Sequence, residues 1–471
     1  MAQKQSIHFL LAYELLAANF TANLKERDVM NIRNKGNGIF KRLIERYDTK
    51  LDKNGICGKR IAERLHTLSQ IGLTADNGSN RPGYSEDEAR AQELVSSWMK
   101  EAGMEVRRDG AGNLIGRLAG KRNFLPAIMS GSHVDTVPNG GHFDGTLGVI
   151  TALEVVEAWK HEKYQPVHPL EIVVFADEEG SRFNGGLNGS EGMIGGRDIE
   201  AKKQLIDRDG YSFSEVLQQR DLSIDSYKNA TRDMEEVALF IEVHIEQGKR
   251  LEKENLPCGI VTGIAGPCWL EITFYGEAGH AGNTPMNDRK DALVAASEFI
   301  SKVNQLPGNI NDTAVATIGK QLVEPNGVNV IPGKVTLYVD IRDIYEQTRD
   351  QLVEKVKHLA ETIANDQQLK VAVTEKTKVK PVPIKKEMQD LLARSIKEQG
   401  IQPFYLPSGA GHDAMIIGEK VPIAILFVRS ENGISHNPQE WTNLADCVQA
   451  ALVLKSFIED LQTDWEDDNL S

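Results

Sequence analysis

Apolar and polar positions fall into runs whose period assigns most of the chain to helices and strands. From Gly58, Ile61, Leu65 and Leu68 recur at helical spacing. Beyond a polar loop at 75–85, a second amphipathic helix carries Ala89, Leu94, Val95 and Trp98. Strands are expected from 103–106 and over 112–118. Ala127, Ile128 and Met129 form a short apolar run ending in small residues, as a buried strand does. A polar loop follows, and from Leu147 the period turns helical, with Val149, Ile150, Leu153, Val156 and Trp159 three and four apart. Residues 171–176 (EIVVFA) read as a buried strand of the parallel-sheet kind, and 238–243 as another apolar strand.

Over 261–268 (VTGIAGPC) the texture shifts. The chain then runs strand (269–275), helix (291–303), strand (314–322), strand (335–343), helix (349–365), strand (369–375), which is the βαββαβ order of a ferredoxin-like domain. Pro381 and Pro383 close it. A helix at 388–398, a turn at 408–413, a strand at 421–427 and a helix from 443 resume the first pattern. The expected fold class is α/β, a mostly parallel sheet domain that is discontinuous in sequence, with an inserted α+β lid. Its expected parts are an N-terminal extension (1–55), the first domain in two pieces (56–263 and 381–463), the lid (264–380) and a disordered acidic tail (464–471). A chain of 471 residues exceeds a single typical core, as this division requires.

Composition narrows the function classes. A net charge of −14 argues against nucleic-acid binding and against attraction to anionic membranes. Cys57, Cys258, Cys268 and Cys447 are widely spaced without a CxxC pair, which fits a reducing cytosol and excludes a cysteine-built zinc site. No apolar run is long enough to span a bilayer. The apolar stretch 7–18 contains Glu14, has only Lys4 as a basic residue ahead of it among the first seven, and lacks a clear small-x-small site after it. It therefore reads as an N-terminal helix or extension rather than a signal peptide, and the expected location is cytoplasmic. There is no internal repeat or low-complexity tract.

The candidate chemistry gathers at strand ends, where open α/β sheets place ligands. His133 and Asp135 lie two apart after the 127–129 strand, and Asp144 follows the Gly140-Gly141 turn. An HxD loop alone suits a surface or capping role as readily as a metal. Asp177-Glu178-Glu179, at the end of the 171–176 strand, would repel one another unless a cation offsets them. Alone they read better as a solvated acidic turn or a helix N-terminus, which favours acidic side chains; a second cluster at a strand end shifts the balance to a shared metal site. His244, Glu246 and Gln247 end the 238–243 strand, and His436 lies in GISHNP. Together His133, Asp144, Glu179, His244 and His436 make a ligand set for two divalent ions (zinc, manganese or cobalt). Such a pair clamps a hydroxide and polarises a carbonyl at a metal separation of about 3.5 to 4 Å. Asp144 is the bridging candidate. Asp135 is expected to hold the second nitrogen of the His133 ring. Glu178 faces away from Glu179 on extended backbone and is the expected general base.

GSHVDT, GGHFDG, DEEGSRF, EVHIEQG, AGHAGNTPM, NVIPG, DIRD, GAGHDA and GISHNP, in this order, resemble the aminoacylase and carboxypeptidase superfamily of two-metal hydrolases. EEGSRF and HIEQG resemble its hydantoinase/carbamoylase branch, which holds N-carbamoyl-L-amino acid amidohydrolases, β-ureidopropionases and allantoate amidohydrolases. The resemblance spans roughly 55–460. It implies the same five metal ligands, Glu178 as base, and substrate contacts at Gln247, His280, Asn329 and Arg342, with Gly411 in the nearby turn. Arg342 would clamp the substrate carboxylate in two-point fashion. The resemblance also implies a homodimer formed through the lid, with His280 reaching the neighbouring subunit's site; from the sequence alone, a turn histidine meeting only water is an equal alternative. Two departures stand out: Leu187-Asn188 where bulky aromatic or apolar residues are common, and Asn283 where Thr is usual.

The implied activity is cleavage of the ureido C–N bond of N-carbamoyl-L-amino acids, with release of amino acid, ammonia and carbon dioxide. Rivals are allantoate amidohydrolase or β-ureidopropionase, then aminoacylase or dipeptidase. A non-catalytic relative would have lost Glu178 or a ligand, and all are present. His142 is expected to be peripheral. His412 is open between supporting a ligand and a purely structural role. His8, His66, His161, His168 and His358 read as surface or helix residues.

Overall fold

Runs of Val, Ile, Leu and Phe, too short for helices, build a nine-stranded central sheet. The computed structural model describes residues 38–196 and 199–468, with side chains up to 462; the 7–18 stretch lies outside them. In chain order the strands are β1 (Glu105–Arg108), β2 (Leu114–Leu118), β3 (Ala127–His133), β4 (Leu170–Phe175), β5 (Val237–Ile245) and β6 (Cys258–Ile264). There follow β7 (Gly266–Tyr275), β8 (Gly279–His280), β9 (Val315–Glu324), β10 (Val330–Ile331), β11 (Lys334–Asp343) and β12 (Lys370–Lys378). The last are β13 (Val382–Pro383), β14 (Tyr405–Ser408) and β15 (Ile423–Val428).

The central sheet has the order β1-β2-β4-β3-β5-β15-β6-β13, with β14 beside β6. Its middle is parallel: β4 with β3, β3 with β5, and β5 with β15. Every residue of β3, β4 and β15 is buried, because helices cover both faces. One face packs against helices Gly58–Ser69, Glu86–Glu101, Thr146–Glu162, Lys386–Glu398 and Leu444–Asp468. The other meets the short helices Asn188–Ile194 and Asp413–Ile417 through Met193, Ala414, Met415 and Ile417.

Residues 266–378 form a second sheet, β12-β7-β11-β9, antiparallel throughout. Alternation sends Leu270, Ile272 and Phe274 of β7 and Val335, Leu337 and Val339 of β11 to one face. There they bury against Phe299 of helix Ala292–Val303 and Leu352, Val356 and Ile363 of helix Glu346–Asp366. Trp269 and Tyr275 stay exposed on the opposite face.

Some of the structure departs from the sequence reading. Helix Ile39–Ile44 belongs to the supposed extension, yet Leu43 is buried in the main core and Arg42 stacks 3.7 Å over the Trp441 ring. The last helix continues to Asp468, through the start of the acidic tail, since each added helical residue gains a backbone bond at little cost once the helix is nucleated. Helices Asn188–Ile194, Ile199–Lys203, Phe213–Gln218 and Ile224–Lys228 have no counterpart in the sequence reading, being too short to show a period. Among the described residues, no helix is long and apolar enough to cross a membrane.

Candidate functional site

β3 and β5 are parallel neighbours, so they deliver His133 and His244 to the same end of the sheet. Asp144 arrives from the loop between β3 and helix Thr146–Glu162. The next residue must be glycine: Gly145 has φ +60°, and a Cβ there would lie 2.3 Å from His133 Nε2. Asp144 Oδ1 lies 3.0 Å from His244 Nε2 and 3.9 Å from His133 Nε2. Its Oδ2 lies 3.3 Å from His436 Nε2, which is 3.5 Å from Glu179 Oε2. Three groups among the described residues could each hold a metal ion; His133/Asp144/His244 and Asp144/Glu179/His436 share Asp144, and the third, Glu242/His244/His412, shares His244 with the first.

Proton placement tests whether cations fit. His133 Nδ1 lies 3.0 Å from the Asp135 carbonyl, and His244 Nδ1 2.9 Å from the Ile245 carbonyl, so each neutral ring carries its proton on Nδ1. Both Nε2 lone pairs then face the Asp144 carboxylate, acceptor against acceptor, which a proton or a divalent ion must relieve. The charges agree. Burial opposes charge on His244, yet Asp144 raises its pKa above the usual imidazole value. Burial would raise the Asp144 pKa, but the His244 and His436 contacts hold it well below the carboxylate range. Burial and Asp144 push Glu179 up to about 8. Burial raises Glu178 well above its ordinary value, with His133 opposing and Asp413 adding. Imidazoles and strained carboxylates on a shared aspartate suit zinc, manganese or cobalt.

The tandem glutamates sit on a bend, not on extended backbone. β4 ends at Phe175, and Asp177 turns the chain at φ +53°. Asn188 Nδ2 donates to the Asp177 carboxylate at 2.6 Å, and the Asp177 N–H donates to Glu88 at 3.2 Å. The side chain of Asn188, one of the two departures, thus supports this turn. The bend still parts the two glutamates: Glu178 Oε2 lies 3.7 Å from His133 Nε2, while Glu179 faces His436. Asp135 does more than the sequence implied. Its carbonyl rather than its carboxylate makes the closer approach to the His133 ring, with Oδ1 at 3.4 Å. Its carboxylate accepts the N–H groups of Glu178 at 3.2 Å and Glu179 at 3.1 Å.

Sequence reasoning missed Glu440, Ser435 and Arg81. Glu440 is buried and accepts the N–H groups of Phe143 at 2.9 Å and Asp144 at 3.1 Å. A Cβ on Gly141 would lie 2.0 Å from it. The Ser435 hydroxyl sits between Asp144 Oδ2 (3.0 Å) and Glu440 Oε2 (2.8 Å). Arg81 is fully buried and donates to the carbonyls of Val134 (2.8 Å) and Ile71 (3.0 Å), fixing the loop after β3. Burial pushes its pKa down to about 10. The one signal for Glu440 was its place four residues beyond His436.

The remaining candidates divide. Gln247 joins the cluster, donating from Nε2 to Asp144 Oδ2 at 2.9 Å. His280, Asn329, Arg342 and Gly411 stand outside it. β8 and β10 bring His280 and Asn329 together, His280 pairing with Val330 and the Ala281 N–H donating to the Asn329 carbonyl at 3.0 Å. His280 is exposed, and its Nδ1 accepts from the N–H groups of Gly282 (3.0 Å) and Asn283 (3.2 Å), which puts the proton of the neutral ring on Nε2. Asn283, the second departure, thus makes this contact through its backbone. Arg342 grips Asp340 and donates to the Gly409 carbonyl at 2.7 Å; Gly411 is exposed two residues further on. His142 is tied to Ser79 Oγ at 2.7 Å and the Asn77 carbonyl at 2.8 Å, and burial pushes it down to about 4. His412 packs edge-on against His244, ring centroids 4.4 Å apart, and bonds Ser408 at 2.9 Å.

Comparison with known proteins bears on this geometry. The model described as Peptidase family M20/M25/M40 matches residues 129–460. An N-carbamoyl-L-amino acid amidohydrolase of Geobacillus stearothermophilus is 40% identical over 399 residues, 85% of this chain and 97% of that protein. The allantoate amidohydrolase of Bacillus subtilis (strain 168) is 36% identical over 383 residues, 81% of this chain and 92% of that protein. A solved structure of an amidase of the hydantoinase/carbamoylase family from Burkholderia multivorans superposes with a TM-score of 0.81 at 33% identity, covering 86% of this chain and 98% of that one.

Proposed function

The chain belongs to peptidase family M20/M25/M40, and on that premise we propose that it hydrolyses the ureido C–N bond of N-carbamoyl-L-amino acids. It is an amidohydrolase by its relatives, and those at 36–41% identity include N-carbamoyl-L-amino acid amidohydrolases. The observation that carries the reading is Asp144, shared by two ligand groups with Glu178 poised beside one of them.

His133, Asp144 and His244 would hold one divalent ion, and Asp144, Glu179 and His436 the other. Such a pair makes water acidic and polarises a carbonyl oxygen. Glu178 takes the proton from the attacking water and passes it to the leaving nitrogen, as a carboxylate with a raised pKa can do. Asp135 keeps Glu178 and Glu179 in register through their N–H groups. Arg342 receives the substrate carboxylate, and Gln247 and Asn329 contribute polar contacts. The four-stranded segment acts as a lid and pairs two chains into a homodimer, so that His280 of one chain donates its Nε2–H to the oxyanion formed in the other.

A screen of N-carbamoyl-L-amino acids, 3-ureidopropionate and allantoate with manganese, cobalt or zinc tests this. The expected result is the highest kcat/KM on an N-carbamoyl-L-amino acid. Preference for allantoate would move the assignment to the activity named for the Bacillus subtilis relative. Turnover confined to N-acyl amino acids or dipeptides would overturn the ureido reading.

A further inference from the structure

We infer that Asp340 is a positioning residue that presents Arg342 to the substrate carboxylate as a fixed two-point fork. The inference rests on the reading above that Arg342 receives that carboxylate.

Asp340 and Arg342 are two apart on β11 and so project from the same face of the sheet. This is the open face, opposite the one packed on helices, and Asp340 lies in register with exposed Trp269 of β7. Arg342 Nε lies 3.0 and 3.1 Å from the two Asp340 oxygens, and Nη2 lies 2.8 Å from Oδ2. Nη1 donates at 2.7 Å to the Gly409 carbonyl. That carbonyl belongs to the turn after β14 that leads into His412, whose ring packs on His244.

Counting donors gives the role. A guanidinium has five N–H groups. Asp340 takes the Nε–H and one from Nη2, and Gly409 takes one from Nη1. One N–H on each terminal nitrogen remains, which is the fork that a carboxylate fills end-on. An unrestrained arginine side chain samples many rotamers. Held by Asp340 on one edge and Gly409 on the other, the guanidinium plane is set before substrate arrives. The pair is also neutral overall, so recognition rests on two directed hydrogen bonds more than on net charge. Asp340 thereby favours a carboxylate over an anion of different shape.

Both side chains are about a third exposed, at 32% and 30%, and such pairs contribute little to stability, so loss of Asp340 need not unfold the protein. The test compares wild type, Asp340→Asn and Arg342→Lys in the metal-loaded enzyme. Each is assayed on the best acid substrate from the screen and on its primary carboxamide, with KM and kcat resolved and Tm measured. Asp340→Asn is expected to raise KM for the acid roughly tenfold, the scale of a hydrogen bond to a charged group. The accompanying change in kcat should be smaller, with KM for the amide and Tm nearly unchanged. Arg342→Lys should abolish the acid-over-amide preference. If Arg342→Lys abolishes it and Asp340→Asn keeps it, Asp340 does not position the fork. If Asp340→Asn lowers Tm and weakens acid and amide alike, its role is structural and the inference falls. An unchanged preference in Arg342→Lys would instead overturn the underlying reading of Arg342.

Discussion

Glu440 accepts the backbone N–H of Asp144 at 3.1 Å, although 296 residues separate them along the chain. The loop that carries His436 thus holds in place the residue common to both ligand groups. Glu440→Ala should weaken metal binding about tenfold to a hundredfold, the usual cost of removing a group that orients a ligand. Titration calorimetry with manganese or zinc on metal-stripped protein measures this. An affinity equal to wild type would show that Asp144 needs no such clamp.

Asp144→Ala is expected to lose both ions, whereas His244→Ala should mainly weaken one, because Asp144 alone is common to the His133/Asp144/His244 and Asp144/Glu179/His436 groups. Metal analysis of the purified variants decides it. Two ions per chain retained in Asp144→Ala would remove Asp144 as the bridge.

Glu178→Gln keeps the side-chain shape but cannot accept a proton. Metal content should stay at the wild-type level, while kcat falls about a hundredfold to ten-thousandfold. A near-normal rate with intact metal would assign the base to another group.

His280→Ala and Glu178→Ala, each inactive alone, should regain activity when mixed under conditions that exchange subunits. The His280→Ala chain keeps its own Glu178 and receives His280 from its partner. Verified heterodimers that stay inactive would place His280 within its own chain's site.

His66, outside the candidate ligand groups, gives a pH dependence of stability. It lies half-buried on helix Gly58–Ser69 with Nδ1 buried and unbonded, and burial lowers its pKa. The folded protein therefore binds this proton more weakly than the unfolded chain does. The stability involved is fully present above the unfolded value of about 6.5 and is lost as pH falls through the lower folded value. Urea midpoints measured between pH 8 and pH 5 should fall less steeply in His66→Leu than in wild type. Parallel slopes would show that His66 titrates alike in both states.

The sequence disclosed most of what lies along single strands. β3, β4 and β5 are buried on both faces and so read as apolar runs, and the residues at their ends read as ligands. It concealed what depends on partners far away. Nothing near Arg81 announces the Val134 carbonyl, and nothing near Glu440 announces Phe143. The Asp177 turn was hidden for a similar reason: Asn188 and Glu88, which hold it, come from other segments. Period-two alternation therefore gave the right separation of Glu178 from Glu179 for the wrong backbone reason.

β15 lies between β5 and β6, parallel to the first and antiparallel to the second. β5 and β6 emerge from the ribosome one after the other and are antiparallel to each other, joined through residues 246–257, which include the helix Arg250–Glu254. β15 emerges much later, after the whole four-stranded sheet, which is contiguous in sequence and has a core of its own. Local contacts form faster than distant ones, so this topology lets β5 and β6 meet before β15 exists. The native order places β15 between them, with Phe427 alongside His244. The candidate ligand set of His133, Asp144, Glu179, His244 and His436 is thus complete only after the four-stranded sheet and β15 have been made.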